Sequence, residues 1–160
     1  MNNKLKDLKG FTLVEVMVVL VLLTLSFMIF LNALNTGKSV RARSELRTIQ
    51  SIILNSLENQ IRSRRFDENS TVPWSSSLGK DTGESLVSHF DDIDDFDGYV
   101  IAQVSDHPAF RCDVSVDYVS TSTGFHVSQS DQSNYKSVMV KVSHATLPAI
   151  TDTIIIGSGL

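Results

Sequence analysis

The chain has 160 residues, a formal net charge of −4 at pH 7 and a sequence pI of about 5.5. That length holds one small module, and the mild acidity excludes the basic footprint of a nucleic-acid-gripping domain. The single cysteine, Cys112, excludes an intramolecular disulfide and a cysteine metal cage, and it reads as a buried apolar thiol on a strand.

In chain order, Met1 to Gly10 carries Lys4, Lys6 and Lys9 against Asp7. Residues 11–34 are then apolar except for Thr12, Glu15, Thr24, Ser26 and Asn32. A helix over that stretch is roughly 36 Å long, enough to cross a hydrocarbon core of about 30 Å. The basic flank is expected to stay in the cytoplasm, which places the bulk of the chain outside it. The apolar core is too long for an ordinary secretory signal, and no small-residue cleavage site ends it. Glu15 is the anomaly, because a carboxylate in a membrane segment costs roughly 2.5 to 3.5 kcal/mol and so calls for a partner or a role.

The stretch KGFTLVEVMVVLVLL resembles the N-terminal signature of type IV prepilins and pseudopilins: a basic leader, a glycine, a phenylalanine and a glutamate fifth after the glycine. The resemblance implies that prepilin peptidase cuts between Gly10 and Phe11 and methylates the new Phe11 amine. A glycine suits such a site because its backbone lies extended in a tight cleft where a Cβ would clash. Glu15 then neutralises the freed Phe11 amine, either of a neighbouring subunit or, one helical turn away, of its own chain.

Leu46, Ile49, Ile53, Leu57 and Ile61 recur at helical spacing, so one helix is expected from about Phe11 to about Arg64. Glu58 and Arg62 have the acid-before-base spacing of an exposed supporting pair. The stretch RSRRFDENSTVPWSSSLGKDTGES reads as a long surface connection, with Trp74 as its buried anchor.

FDDIDDFDGYV gathers Asp91, Asp92, Asp94, Asp95 and Asp97 before Gly98. Mutual repulsion predicts a solvated acidic turn, with calcium bound by Asp94, Asp95 and Asp97 as the alternative. The EF-hand pattern fails, since Ile93 falls at its first ligand position and Val104 where the bidentate Glu belongs. This turn resembles minor pilins of the PilV and MshD kind.

Strand signals follow in YVIAQVS, in FRCDVSVDYV and SVMVKVSH, and in TDTIIIG beyond Pro148, with a turn at TSTG, residues 121–124. Strict alternation predicts an antiparallel sheet with one covered face, and the second half of the long helix is the available cover. The expected fold class is α+β and type IV pilin-like. Its parts are a cleaved leader (1–10), a membrane and assembly half-helix (11–34), an amphipathic half-helix (35–65) and a globular head (66–160).

No enzyme is expected. His89, His107, His126 and His144 lie far apart and in no ligand spacing, no G-x-S-x-G elbow presents a nucleophile, and no glycine-rich loop cradles a phosphate. No cofactor is implied. The resemblance implies a minor pilin, a structural subunit of a type IV pilus, with a type II secretion pseudopilin or a membrane-anchored binding module as alternatives. Its implied partners are prepilin peptidase, other pilins or pseudopilins, and the inner-membrane assembly platform with its separate ATPase. The implied location is the inner membrane, single-pass, and then a pilus fibre or a periplasmic pseudopilus.

Overall fold

The computed structural model describes residues 10–159; the leader expected over 1–10 lies outside the described residues except for Gly10. One helix, α1, runs Leu13–Arg62. Thr12 starts it, because its Oγ1 accepts the amide hydrogen of Glu15 at 3.2 Å and its carbonyl accepts that of Val16 at 3.2 Å. Those bonds satisfy N–H groups that a helix start leaves without partners, and Glu15 adds an acid in the first turn, where the helix dipole favours one.

The chain divides into two compact units at Ser44/Glu45. In the first, every residue from Phe11 to Leu34 is exposed, from Phe11 at 81% to Leu34 at 47%. Its most apolar 18-residue window has a mean hydropathy of 2.7 and none of it is buried. A core helix of a soluble protein fails that second condition, and by length and composition this stretch can cross a membrane.

The second unit is a helix-on-sheet layer. Its five strands are β1 (Val100–Ile101), β2 (Phe110–Ser120), β3 (Gly124–Gln129), β4 (Tyr135–His144) and β5 (Leu147–Gly157). All pair antiparallel, in the order β1-β2-β4-β5, with β3 also beside β2. Alternation along β2 and β4 sends Phe110, Cys112, Val114, Val116, Val138, Val140 and Val142 to one face. There they meet Leu54, Leu57 and Ile61 of α1 and the rings of Phe90 and Phe96. Burying each such side chain contributes about 1.5–3 kcal/mol before the entropy of ordering it is set against it.

Several expectations change in detail. The helix buries Gln50, Leu54, Leu57, Glu58 and Ile61, while Leu46, Ile49 and Ile53 only flank the core; a flat sheet meets a helix along a straight line that a 3.6-residue period crosses obliquely. Gln50 lies under the sheet and donates from Nε2 to the carbonyls of Val142 at 2.8 Å and Pro148 at 3.2 Å, where the β4–β5 register slips. Glu58 is not the exposed partner of Arg62 but is buried, 7% exposed. Only two residues of YVIAQVS form a strand, and the unforeseen β3 is largely exposed. Pro148 lies inside β5, which is tolerable because β5 is an edge strand.

Candidate functional site

The N-terminal determinants sit together at one end of the exposed helix. Gly10 and Phe11 precede its first turn, and Phe11 and Glu15 line one shallow groove with Val16, Val19 and Leu20. Among the described residues, a Cβ built on Gly10 meets nothing within 4 Å, so nothing in the described fold asks for a glycine there.

The acidic turn is not solvated as its sequence suggests: Asp92, Asp94 and Asp95 are 2%, 3% and 3% exposed. The charge is relieved by amides and by one buried lysine. Asp95 Oδ2 accepts the amides of Asp91 at 2.9 Å and Asp92 at 3.2 Å, and Asp92 Oδ1 accepts that of Asp95 at 3.3 Å. Asp97 Oδ1 accepts the amide of Val116 at 2.9 Å and so continues the β2 edge beyond β1. Asp94 Oδ1 receives Lys136 Nζ at 3.0 Å. The three carboxylates proposed for calcium therefore point to three different partners. Among the described residues, the carboxylates that gather within 4.8 Å are Glu84, Asp91 and Asp95, and the Arg65 guanidinium already meets Asp91.

Lys136 is the centre of this half of the molecule. It is fully buried, and its ammonium donates to Phe66 O at 2.7 Å, Asp67 Oδ2 at 3.0 Å and Asp94 Oδ1 at 3.0 Å, with the Phe66 and Tyr118 rings beside it. Asp67 also accepts the Ser75 and Asn69 amides and the Tyr118 hydroxyl. Burial works against its charge, yet the Ser75 and Asn69 amides and Lys136 outweigh it and hold its carboxyl below the usual range. Asp92 goes the other way, pushed up to about 8 by burial and by Asp94 and Asp95. Burial and Asp67 raise the Tyr118 hydroxyl.

Trp74 is buried as expected, donating from Nε1 to Asn134 Oδ1 at 2.9 Å and packing edge-on against Phe66. Cys112 is fully buried on β2, and burial raises its thiol out of the reactive range. The histidines stay apart: His89 and His126 are exposed, and His107 and His144 are half-buried on either side of Phe110. Lys136, Asp67 and Gln50 were missed by sequence reasoning.

Residues 6–31 match the prokaryotic N-terminal methylation motif. No curated protein and no solved structure matches the chain. The motif, on an unburied apolar helix followed by a small antiparallel head, supports a type IV prepilin-like protein, of the class that takes in pilins and pseudopilins. The motif implies processing by prepilin peptidase and assembly with other pilins, and the apolar helix fits membrane anchoring.

Proposed function

We propose that the chain is a minor pilin, a structural subunit of a type IV pilus. The observation that carries the reading is the wholly exposed segment Phe11–Leu34 with one carboxylate, Glu15, in its first turn. A surface that apolar has no stable home in water, so it is matched to a bilayer before assembly and to other helices after it. In this reading prepilin peptidase cuts between Gly10 and Phe11 and methylates Phe11; the indifference of the fold to a side chain at residue 10 supports a glycine kept for the peptidase. The freed amine and Glu15 then form a pair between neighbouring subunits, two costly charges becoming one pair that also fixes axial register. The leader stays cytoplasmic and residues 66–160 form the head outside, on a single-pass helix in the inner membrane.

The test is mass spectrometry of a sheared cell-surface fraction and of membranes. A peptide beginning at Phe11 with one added methyl in the sheared fibres supports the minor pilin. The same peptide confined to membranes identifies a pseudopilin of a secretion system instead, and an intact leader throughout overturns both.

A further inference from the structure

Lys136 carries an amine that the N-terminal chemistry does not use, in surroundings unusual for a lysine. Its side chain is 0% exposed, and Nζ lies 3.0 Å from Oδ1 of Asp94 and 3.0 Å from Oδ2 of Asp67, whose side chains are 5% and 0% exposed. The Phe66 and Tyr118 rings close over it at 4.6 and 5.2 Å. Lysine is rarely buried so completely, and a desolvated lysine amine is one of the groups that act as nucleophiles in proteins. Each carboxyl group beside it offers a carbon that an amine can attack, and the oxygen contacts hold that carbon close to the nitrogen before any reaction begins.

The two carboxyl groups are not equivalent. Asp67 is caged by donors, since the Ser75 amide and hydroxyl, the Asn69 amide and the Tyr118 hydroxyl all reach it. Those bonds favour the carboxylate, which resists attack by an amine. Asp94 has no such cage among the described residues, because the side chains of Asp92 and Asp95 take the amides of that turn. Its neighbour Asp92 is 2% exposed, and burial, then a hydrogen bond to Asp94, push its carboxyl up to about 8. A proton therefore sits beside the carboxyl group that Lys136 touches.

We propose that Lys136 and Asp94 close an intramolecular isopeptide bond in the folded chain, with Asp92 moving the protons. The ammonium passes one proton to the Asp94 carboxylate, which turns two buried charges into two neutral groups. The free amine attacks Asp94 Cγ and forms the C–N bond. Asp92 gives its proton to the hydroxyl that breaks away as water, and takes back the surplus proton of the nitrogen. The balance is one ammonium and one carboxylate in, one neutral amide and one water out. The ion pair is the state of the newly folded chain, and the amide is what it matures into. The bond ties the aspartate turn to β4 and, as a disulfide does, removes loop freedom from the unfolded chain, in a protein whose single cysteine allows no intramolecular disulfide. It does not rest on the minor-pilin reading.

The experiment is mass spectrometry of the full chain purified in detergent micelles, intact and after trypsin. The chain should be one water lighter than its sequence requires, and the digest should hold a branched peptide joining residues 81–111 to residues 112–141, with Lys136 uncut. Ring closure at Asp97–Gly98 removes the same mass, so the branched peptide is the deciding signal. Asp94→Ala should abolish the branch and Asp67→Asn should keep it. Asp92→Asn, checked for its fold by circular dichroism, should slow the bond in freshly made protein by about 10²-fold or more. A wild-type chain of full mass, a water loss confined to a linear peptide containing Asp97, or a branch ending at Asp67 overturns the proposal. Asp92→Asn reacting at the wild-type rate overturns the proton path.

Discussion

Tyr118 and Lys136 stand directly opposite each other on β2 and β4, and both reach Oδ2 of Asp67, at 3.1 and 3.0 Å. A cross-strand pair thus fastens the long connection after α1 to the middle of the sheet. Lys136 also holds Asp94, so one ammonium ties both ends of the stretch between Phe66 and Asp97. The rest of that stretch makes few regular backbone bonds, so the buried cation anchors it together with the buried side chains of Trp74, Phe90, Ile93 and Phe96.

Lys136→Met should therefore cost about 3–5 kcal/mol, the scale for removing one partner of a buried pair and stranding the other. Trp74, the chain's one tryptophan, packs on Phe66 next to Asp67 and reports the change by its fluorescence in a urea titration. A loss below about 1 kcal/mol would be the behaviour of a surface ion pair and would contradict the burial assigned to Lys136.

Stability should peak at mildly acid pH. The folded-state carboxyl of Asp92 is raised from 3.8 to about 8, so across that window the folded chain keeps a proton the unfolded chain has lost, and stability falls as pH rises. Asp67 is lowered from 3.8, so its contribution is present above that value and is lost as pH falls below it. Glu84, raised to about 7 chiefly by its hydrogen bond to Asp95, adds a small slope of the same sign as Asp92, discounted for its exposure. Asp92→Asn should flatten the descending limb in urea midpoints taken from about pH 4 to about pH 9. An unchanged slope would mean that Asp92 is ionised in the folded state.

These two anchors show how far a sequence of this kind can be read. Cys112, Val114 and Val116 alternate so regularly that β2 and its inward face are legible, and Lys136 shares the parity of Val138, Val140 and Val142, so its inward direction was written in the same pattern. Its partners were not, because Asp67 and Asp94 come 69 and 42 residues earlier and no local spacing links them. The aspartate turn misled for the same reason: repulsion among neighbours is visible in sequence, while the amides and the distant ammonium that relieve it are not. β3 escaped because only Phe125 and Val127 alternate there, on a strand with little to bury. At the N-terminus the segment Phe11–Leu34 is exposed along its whole length, and composition alone suffices to recognise a surface made for lipid or for other helices.

Gly10→Val should leave folding untouched and abolish processing. No atom of the described residues lies within 4 Å of the added Cβ, so the urea midpoint stays at the wild-type value, while the peptidase cleft loses the bare backbone it grips. The check is the N-terminal peptide in membranes, expected to retain the leader. Normal cleavage in this variant would remove the reason given for a glycine at residue 10.

Glu15 has two possible employers, and one set of variants separates them. Its amide bonds Thr12 Oγ1 at 3.2 Å, and its carboxylate sits in the first turn, so part of its value is local: about 0.3–1 kcal/mol of helix-terminus stabilisation. If that were all, Thr12→Ala, which removes the cap and keeps the carboxylate, would lower incorporation into fibres as much as Glu15→Ala does. If the carboxylate neutralises the Phe11 amine of a neighbour, Thr12→Ala should assemble nearly normally. Glu15→Ala and Glu15→Gln should then both be processed at Gly10 yet appear at least tenfold less in the sheared fraction, a loss of about 1.4 kcal/mol or more per contact. The glutamine variant decides the matter, because it keeps the size and hydrogen-bonding reach of the side chain and removes only the charge. Normal incorporation of Glu15→Gln would reassign the residue to the helix start and leave the membrane-buried amine to be neutralised by other means.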